Sequence, residues 1–314
     1  MGGWHPILVG SLVGLASCYS PSVQSNLPCS ADGTCPRGQR CELTTRTCDG
    51  TGADVDASTN HIDSGIDTAG DGASGAWTLT PLGIPNSNMD EDPTMTADRL
   101  LVVFARRINA SQPLALFYAT RSSTTAPWST PAQIAELNLA PLVTSPELSP
   151  DGLALFFTFG PNNGRDVYYA SRTNRTQAWL NVTAVNPLST TGDDVGIGIR
   201  PDGVFALVDN DSSGERDLYT SSKIGNSWSA LVPAQGLHVQ NREEGSPTVG
   251  TDGTVYFHVL TGGNNYAIWK GTPQGVAYAP APVPELAGYS DPFLLPDGAT
   301  MLCAKNGVLY EASR

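Results

Sequence analysis

The sequence predicts an all-β protein whose main body is a five-bladed β-propeller closed by an N-terminal strand. Three observations lead to this prediction: a turn tripeptide that recurs five times, a strand segment displaced to the start of the repeats, and a composition of 33 Gly, 24 Pro and only 15% charged residues. Short strands joined by turns fit such a composition better than long amphipathic helices. The expected organisation is a signal peptide over 1–17, a lipidated and disulfide-rich segment over 18–48, a disordered acidic linker over 49–76 and the propeller over 77–314.

The N-terminal segment has the pattern of a secretory signal. Its apolar stretch from Ile7 to Ala16 is too short to span a bilayer as a mature helix. The residues that follow, ending in Ser17 and Cys18, complete a Leu-Ala-Ser-Cys motif that resembles the bacterial lipobox. This resemblance implies that Cys18 is lipidated, becomes the mature N-terminus and anchors the protein in the cell envelope, at the outer membrane. A plain secreted protein and a buried apolar segment are the alternatives.

A cysteine-rich segment follows the signal. Four of the six cysteines lie within 20 residues, while one stands at the lipobox and Cys303 stands alone in an apolar strand. The segment lacks the C-x₂-C pairs and histidines usual for structural zinc, and it is too small to bury its own apolar core. We therefore predict two disulfides, with a metal site as the alternative and all three pairings open. The cysteines concerned are Cys29, Cys35, Cys41 and Cys48.

The segment 49–76 has the composition of a linker. It contains six Asp, no Lys, no Arg and no aromatic residue, so it cannot bury enough apolar surface to offset the entropy of ordering. The spacing of Asp54 and Asp56 is found in calcium loops, but the Gly and the terminal Glu of such loops are missing. We expect a flexible acidic tether, with a cation site as the alternative.

A turn tripeptide centred on Asp recurs five times after Trp77. Its aspartates, separated by 53, 51, 50 and 45 residues, are Asp98, Asp151, Asp202, Asp252 and Asp297. Each turn joins two apolar runs, as expected for a β-hairpin, and a third strand follows after a polar loop rich in Gly and Asn. Self-similarity at about 50 residues indicates a repeat architecture.

A fourth strand in each repeat starts at an aromatic residue. These residues are Trp128, Trp179, Trp228 and Tyr278. The fifth copy is missing after the last repeat and stands instead at Trp77, upstream of the first. A strand displaced in this way is what ring closure requires, whereas a linear solenoid gives no reason for it. We interpret the aromatic residues as packing anchors between blades, with a sugar-stacking surface as the alternative.

The repeated pattern S-P-D-G, apolar strand, G-x-x-D-[LV]-Y and then W resembles the PD40, or WD40-like, propeller repeat of TolB-type proteins. The resemblance covers about 77–314 and recurs in register five times. It implies the propeller fold and leaves the ligand open, because one fold hosts many functions.

Acidic residues recur near the start of the first strand of each repeat. We place them just ahead of that strand, where a central channel opens, at Asp90, Glu91, Asp92, Glu147, Asp193, Asp194, Glu243, Glu244 and Asp291. The candidate ligand-binding ring at one channel mouth is Asp92, Glu147, Asp194, Glu244 and Asp291. The alternative interpretations are a structural role, accepting hydrogen bonds from backbone amides of the neighbouring blade, and catalysis.

The catalytic alternative rests on a partial resemblance to glycoside hydrolases with five-bladed propellers. Asp92-Pro93 and Asp291-Pro292 look like the Asp-Pro dipeptides of those families, and the segment from Glu244 to Pro247 is similar to their Glu-Gly-Pro segment. Hydrolysis needs one protonated and one ionised carboxyl, which a fivefold repeat of similar acids does not indicate. Among the histidines only His238 falls on a predicted loop, so no Ser-His-Asp triad can be assembled and no catalytic residue is assigned.

Composition limits the partners. The formal net charge of −13 argues against binding to nucleic acid, which needs clustered Lys and Arg. We expect no cofactor and no metal, a monomer held to the membrane by its lipid, and an unknown protein or glycan ligand. The predicted function is therefore a membrane-anchored, exported lipoprotein with a non-catalytic binding propeller. The alternative is a carbohydrate-active propeller, a glycoside hydrolase or a lectin.

Overall fold

The computed structural model describes 75–86, 89–109, 111–138, 141–212, 214–263 and 265–314, together with the backbone of three short strands nearer the N-terminus. The chain divides into two units, Met1–Asp67 and Thr68–Arg314. The predicted signal peptide, Cys18 and almost all of the predicted linker lie outside the described residues. No helix in the described part of the chain has the length and apolar character needed to cross a bilayer.

The first unit contains a small antiparallel sheet in the order β1-β3-β2. Its strands are β1 (Leu27–Pro28), β2 (Arg40–Glu42) and β3 (Thr47–Asp49). The register places Cys41 opposite Cys48 across β2 and β3. The predicted disulfides depend on side chains outside the described set, so they stay a prediction.

The second unit is the predicted five-bladed β-propeller, built from five antiparallel sheets. The first blade comprises β5 (Asp90–Met95), β6 (Leu101–Arg106), β7 (Ala115–Thr120) and β8 (Ala132–Gln133). The second comprises β9 (Val143–Leu148), β10 (Ala154–Phe159), β11 (Asp166–Ser171) and β12 (Leu180–Ala184). The third comprises β13 (Asp194–Ile199), β14 (Phe205–Asn210), β15 (Asp217–Ile224), β16 (Ser227–Trp228) and β17 (Val232–Pro233).

The last two blades complete the ring. The fourth comprises β18 (Glu244–Val249), β19 (Val255–Gly262), β20 (Asn265–Gln274) and β21 (Ala277–Ala287). The fifth comprises β22 (Ser290–Leu294), β23 (Thr300–Lys305), β24 (Val308–Ser313) and the upstream strand β4 (Thr78–Pro81). The first strands contact one another in the circular order β5, β9, β13, β18, β22 and back to β5, so they surround the axis.

The N-terminal strand closes the ring as predicted. β4 pairs antiparallel with β24 in a register that places Thr78 opposite Ser313 and Leu79 opposite Ala312. Leu82 extends the contact by donating its N–H to Leu309 O at 2.9 Å. The upstream segment therefore supplies the outer strand of the fifth blade.

The repeated aspartates form the turns between first and second strands. In each blade the carboxylate accepts a hydrogen bond from the backbone N–H two residues further on, as Asp151 does from Leu153 at 2.9 Å and Asp297 from Ala299 at 2.9 Å. Such Asx turns satisfy a backbone donor that the tight reversal would leave unpaired. This contact explains why the turn retains Asp even where its neighbours differ.

The repeated tryptophans were predicted to pack between blades, and two of them do: Trp77 lies 6.0 Å from Tyr256 of the fourth blade, and Trp228 lies 6.3 Å from Phe156 of the second blade. Each ring also contacts its own blade. A cationic side chain from the end of the third strand covers each ring: Arg121 lies 4.3 Å from the centre of Trp128, Arg172 lies 4.2 Å from Trp179, Lys223 lies 5.7 Å from Trp228 and Arg314 lies 4.6 Å from Trp77. These cation–π contacts fasten the fourth-strand segment to its own blade while three of the four rings are almost fully buried.

The fourth strands of two blades are shorter than the sequence pattern predicts. In the first blade only Ala132–Gln133 pairs, and in the third blade the strand is split into β16 and β17. Proline has no N–H to donate to a ladder, and Pro131 and Pro233 lie at the limits of these segments. Short 3-10 helices over Ala135–Leu137 and Asn186–Leu188 follow in the first and second blades.

Candidate functional site

The first strand of each blade carries a β-bulge at the channel. The bulge residue has a positive φ in four blades: Asp92 (51°), Ser145 (48°), Ser246 (46°) and Asp291 (53°). Proline follows each of these residues, and the ladder register shifts at each bulge. The third blade has Gly196 here, where an added Cβ would collide with Asp209 Oδ2. The bulges turn these residues towards the axis and leave about 20 Å³ of free space between them.

A polar cavity of about 210 Å³ opens at the end of the channel where the first strands begin. Acidic, basic and aromatic side chains from several blades line it. Those used below are Glu91, Asp92, Arg165, Arg216, His258 and Asp291. We call this space the mouth cavity. It is the candidate functional site.

The acids predicted to precede the first strands lie within them, except for Asp193 and Glu243. Nor do the five candidate ring acids occupy one level. Counted back from the turn aspartate of their blades, Asp92 and Asp291 lie six residues upstream, Asp194 and Glu244 eight, and Glu147 four. Two residues along a strand span roughly 6 to 7 Å, so these acids lie at three levels along the channel. The sequence repeat concealed this difference because it aligned the acids only approximately.

Three of the five candidate ring acids line the mouth cavity: Asp92, Glu244 and Asp291. Asp92 and Asp291 lie close enough for the charge of one to affect the other. Asp92 Oδ2 accepts hydrogen bonds from Thr144 Oγ1 at 2.6 Å and from Ser145 N at 3.1 Å, both in the next blade. Asp291 Oδ1 accepts one from Ser246 Oγ at 3.1 Å, in the previous blade, and lies 3.3 Å from His258 Nδ1. Both carboxylates therefore connect neighbouring blades.

The environments of these two carboxylates shift their pKa values in opposite directions. Burial, followed by the charge of Asp291, raises the pKa of Asp92 to about 6. Burial alone would also raise the pKa of Asp291, but hydrogen bonding and charge from His258, with hydrogen bonds from Ser290 and Ser246, outweigh it and lower the value. At neutral pH Asp291 is the firmly ionised group of the cavity.

Glu147 lies away from the mouth cavity, deeper along the channel. It is almost fully buried and accepts a hydrogen bond at 3.1 Å from Ile199 N in the next blade. Burial raises its pKa well above the usual value. A buried carboxyl with a backbone partner in the adjacent blade matches the structural alternative stated for these acids.

The position eight residues before the turn aspartate is acidic in three blades, where it is Asp90, Asp194 or Glu244. Each is buried, and each faces a different residue on the second strand of its own blade: Arg106, Asn210 and Val259 respectively. Arg106 binds Asp90 through Nε and Nη2 at 2.5 and 2.8 Å. Asn210 Nδ2 donates to Asp194 Oδ1 at 2.8 Å. Burial raises the pKa of Asp194 to about 7 and that of Glu244 to about 8.

Arg165 and Arg216 bring positive charge to the mouth cavity. Asp193, which is 1% exposed, holds Arg165 through hydrogen bonds to Nε at 2.9 Å and Nη2 at 2.5 Å. Arg216 lies 3.7 Å from both Asp193 and Asp209, and its Nε is buried without a hydrogen-bond partner among the described residues. Arg216 thus retains a donor close to the cavity.

Glu91 is a half-buried residue of the mouth cavity that the ring hypothesis did not select. Burial, followed by the charges of Asp92 and Asp291, raises its pKa to about 8. Its carboxyl makes no hydrogen bond to another described residue. A protonated carboxyl in this position can both donate and accept a hydrogen bond.

Three residues that line the mouth cavity were not predicted as site residues: Arg165, Arg216 and His258. The two arginines stand just ahead of the third strands, each within two residues of an aspartate, and His258 was assigned to a strand interior. The repeat could have indicated the arginines, because they occupy equivalent places in the second and third blades. No sequence signal places His258 beside Asp291, since the contact joins the fourth and fifth blades.

The raised pKa values predict that the protein is less stable at about pH 8 than at about pH 5.5. A carboxyl with a higher pKa in the folded state takes up a proton on folding, so stability falls as pH rises from the unfolded pKa to the folded one. Glu91, Asp92 and Asp194 span this window with values of about 8, 6 and 7. We expect a loss on the order of 2 kcal/mol, or roughly 5 °C in melting temperature.

Thermal unfolding monitored by circular dichroism at constant ionic strength measures this dependence. Glu91→Gln should flatten the curve, because glutamine cannot ionise. Glu285→Gln, at an exposed position of β21, should leave it unchanged. A melting temperature that is constant or rises across the window would contradict the prediction.

The sequence matches no protein-family model and none of the curated proteins. Solved structures share its fold. TolB from Acinetobacter baumannii is 16% identical with a TM-score of 0.47, and the match covers 72% of this chain but only 55% of that protein. A putative TolB from Agrobacterium tumefaciens is 12% identical (TM-score 0.48; 73% and 76% covered). An α-L-arabinofuranosidase from Podospora anserina in complex with cellotriose is 13% identical (TM-score 0.50; 76% and 96% covered). At these identities the likeness concerns the fold alone.

Proposed function

We propose that this chain is an exported lipoprotein of the cell envelope whose propeller binds a protein or glycan ligand at the mouth cavity without catalysing a reaction. The observation that carries the proposal is the mouth cavity itself, where Glu91 and Arg216 line the space beside Asp92 and Asp291, two carboxylates that already connect neighbouring blades. Groups held in this way form a pre-organised surface, which lowers the entropic cost of binding.

The chemistry of these groups narrows the ligand. A neutral Glu91 carboxyl and the Arg216 guanidinium, whose side chain is 26% exposed, suit hydroxyl and amide groups, which donate and accept hydrogen bonds. The ionised Asp291 favours any positive charge on the ligand. Sugars and peptide segments both offer these groups, and the cavity of about 210 Å³ fits one such unit at a time.

Arrays of glycans and peptides, probed with the purified protein, test the binding proposal. The glycan set should include cellotriose, the sugar bound by the arabinofuranosidase. For the ligand found, Glu91→Ala should weaken binding about fivefold to tenfold, because one hydrogen bond to an uncharged group is lost. Glu91→Gln should retain most of the affinity, and Glu285→Ala serves as the exposed control. Equal affinity for the Glu91→Ala variant and the parent would place the ligand elsewhere.

Glycoside hydrolysis is the second candidate function, favoured by one specific observation. The mouth cavity holds a carboxyl with a raised pKa, Glu91 at about 8, close to Asp291 with a lowered one. A glycosidase needs such a pair, one protonated and one ionised. The same variant separates the two functions, because Glu91→Gln keeps hydrogen bonding but cannot transfer a proton. Hydrolysis of aryl glycosides by the parent that Glu91→Gln abolishes would favour the enzyme.

Lipid anchoring is the part of the proposal that rests on the sequence. We expect Cys18→Ala to move the protein from the membrane fraction to the soluble fraction, because the diacylglyceryl group supplies the apolar chains that hold it. Metabolic labelling with a radioactive fatty acid should mark the parent and not the variant. Cys303→Ala is the matched control, since Cys303 is buried in β23 and unpaired. A labelled Cys18→Ala variant, or an unlabelled parent, would exclude the lipobox.

A further inference from the structure

Three potential metal ligands converge where the third and fourth blades meet. Asp217 begins β15, Glu244 begins β18, and His238 lies in the loop between the blades. His238 Nδ1 is 2.7 Å from Asp217 Oδ1 and 3.7 Å from Glu244 Oε2, and one ligand atom from each residue lies within 4.8 Å of the others. In the part of the chain that the structure describes, no other group of three His, Cys, Asp or Glu residues meets this criterion.

Glu244 directs an unsatisfied oxygen into this cluster. Its side chain is 0% exposed, and Oε2 is buried without a hydrogen-bond partner among the described residues. The two equivalent acids are not left in this state, since Asp90 is bonded by Arg106 and Asp194 by Asn210. At Glu244 the facing residue is Val259, which has no polar atom to offer. The second acid of the cluster, Asp217, lies beside Glu244, so a cation at this point would offset the repulsion between two carboxylates.

The equivalent cluster between the second and third blades shows what the histidine adds. There Ser189 takes the place of His238, and its hydroxyl accepts a hydrogen bond from Val167 N at 3.0 Å. Thr190 donates its N–H at 2.8 Å to one oxygen of Asp194 and its hydroxyl at 3.2 Å to the other. Val239, at the place of Thr190, has only its N–H, which donates to Glu244 Oε1 at 2.7 Å. Of these two junctions, the one between the third and fourth blades therefore combines an imidazole with a carboxyl oxygen that accepts no hydrogen bond from a described N–H or O–H group.

The backbone holds the three ligands in place. Glu244 N donates to Arg216 O at 3.0 Å, next to Asp217, so the starts of β15 and β18 are tied together. The neighbours of His238 are also fixed. Leu237 is buried, and Val239 donates its N–H to Glu244 Oε1. His238 and Asp217 are 52% and 26% exposed, so an ion can reach the cluster from solvent. These are the features of a site with three protein ligands and open positions for water.

We propose that Asp217, His238 and Glu244 bind a divalent first-row transition metal, for which Zn²⁺ is the probe. One imidazole nitrogen with two carboxylate oxygens suits Zn²⁺ or its neighbours better than Ca²⁺ or Mg²⁺, which prefer all-oxygen sites. Zinc bonds of about 2.0 to 2.2 Å place tetrahedral ligand atoms roughly 3.4 Å apart. Small shifts of the three side chains from their present spacing would therefore allow them to bind one ion. The site adjoins the mouth cavity through Glu244 and does not depend on the ligand-binding proposal.

Calorimetric titration with Zn²⁺ tests the proposal on the full-length protein, purified without a polyhistidine tag, treated with chelator and kept oxidised. The parent should bind one Zn²⁺ at this site. The His238→Ser variant should bind Zn²⁺ there with an affinity at least about tenfold lower. This variant copies the residue found at the neighbouring junction, and because the His238 side chain is 52% exposed, we expect the variant to fold like the parent. Glu244→Gln should also lose the ion. Asp194→Asn, at the equivalent acid between the second and third blades, should bind like the parent.

Two further readings distinguish this site from the N-terminal cysteines. Co²⁺ bound to the parent should give the visible bands of nitrogen and oxygen ligands without the near-ultraviolet thiolate band, and His238→Ser should lose them. Zn²⁺ should raise the melting temperature of the parent but not that of His238→Ser, because an ion that binds only the folded state stabilises that state. Equal Zn²⁺ stoichiometry and affinity in parent and His238→Ser, or no binding by the parent at micromolar Zn²⁺, would overturn the proposal.

Discussion

A chain that begins at Ser87 should be unable to close its ring. It lacks β4, which pairs with β24, and it lacks Trp77, Leu82 and Ile84, all under 10% exposed. Loss of a packed Trp together with a strand's hydrogen bonds should cost at least about 4 kcal/mol. The uncovered edge of β24 also invites pairing between molecules, so aggregation should accompany the loss. Urea unfolding and analytical ultracentrifugation measure the two effects.

Two controls define this result. A chain that begins at Gly75 should unfold at the same urea concentration as the parent. Moving residues 75–86 to follow Arg314 should restore stability, because Gly75 already packs against Arg314 and Thr78 faces Ser313 in a hairpin register. If the chain beginning at Ser87 stays monomeric and as stable as the one beginning at Gly75, β4 does not close the propeller.

Asp193→Ala should be the most damaging single substitution near the mouth cavity. Asp193 accepts hydrogen bonds from Gly164 N at 3.1 Å, Arg165 N at 3.0 Å and the Arg165 guanidinium. Its removal leaves the largely buried Arg165 charge without its carboxylate, which typically costs about 3 to 5 kcal/mol. Asp193→Asn should cost less, because the amide oxygen can still accept from both backbone amides. Urea unfolding gives both values.

Arg200→Ala is the control for this substitution. It also removes an Arg–Asp ion pair but leaves the Asp202 turn in place, and because Arg200 and Asp202 are 30% and 50% exposed, the loss should stay below about 1 kcal/mol. The effect of Asp193→Ala should also shrink in acid. Burial alone would raise the pKa of Asp193, but Arg165 outweighs it and lowers the value. The carboxylate therefore stabilises the fold above the unfolded pKa and ceases to do so as pH falls through the folded one. Similar losses from both substitutions would refute the buried-pair interpretation.

The fold was predictable because its determinants recur. The five turn aspartates in register predicted the number of blades, and the displaced segment that begins at Trp77 predicted the closing strand. The candidate site was predictable only in part, because the chemistry depends on differences between repeats. The residue facing an acid across the sheet, such as Arg106 or Val259, decides whether that acid is neutralised, and no repeat pattern contains this information.

The position of each acid along the channel could not be predicted from the repeat either. Both Glu147 and Asp92 accept a hydrogen bond from a backbone N–H of the next blade, but Asp92 lines the mouth cavity, whereas Glu147 lies two positions nearer its turn and away from that cavity. A shift of two positions is small in sequence and decisive in space. Long-range contacts such as that between His258 and Asp291 require the ring itself to be formed.

Ring closure has a consequence for how the molecule is made. Thr80 and Glu311 face each other in the closing pair although 231 positions separate them, so the last blade cannot form until the end of the chain is available. Contacts between such distant segments form slowly, because a long loop must close before they contribute. While it is being synthesised from its N-terminus, the chain lacks β24 and the ring stays open. The fifth blade therefore forms only after β24 has been synthesised, long after its partner strand β4.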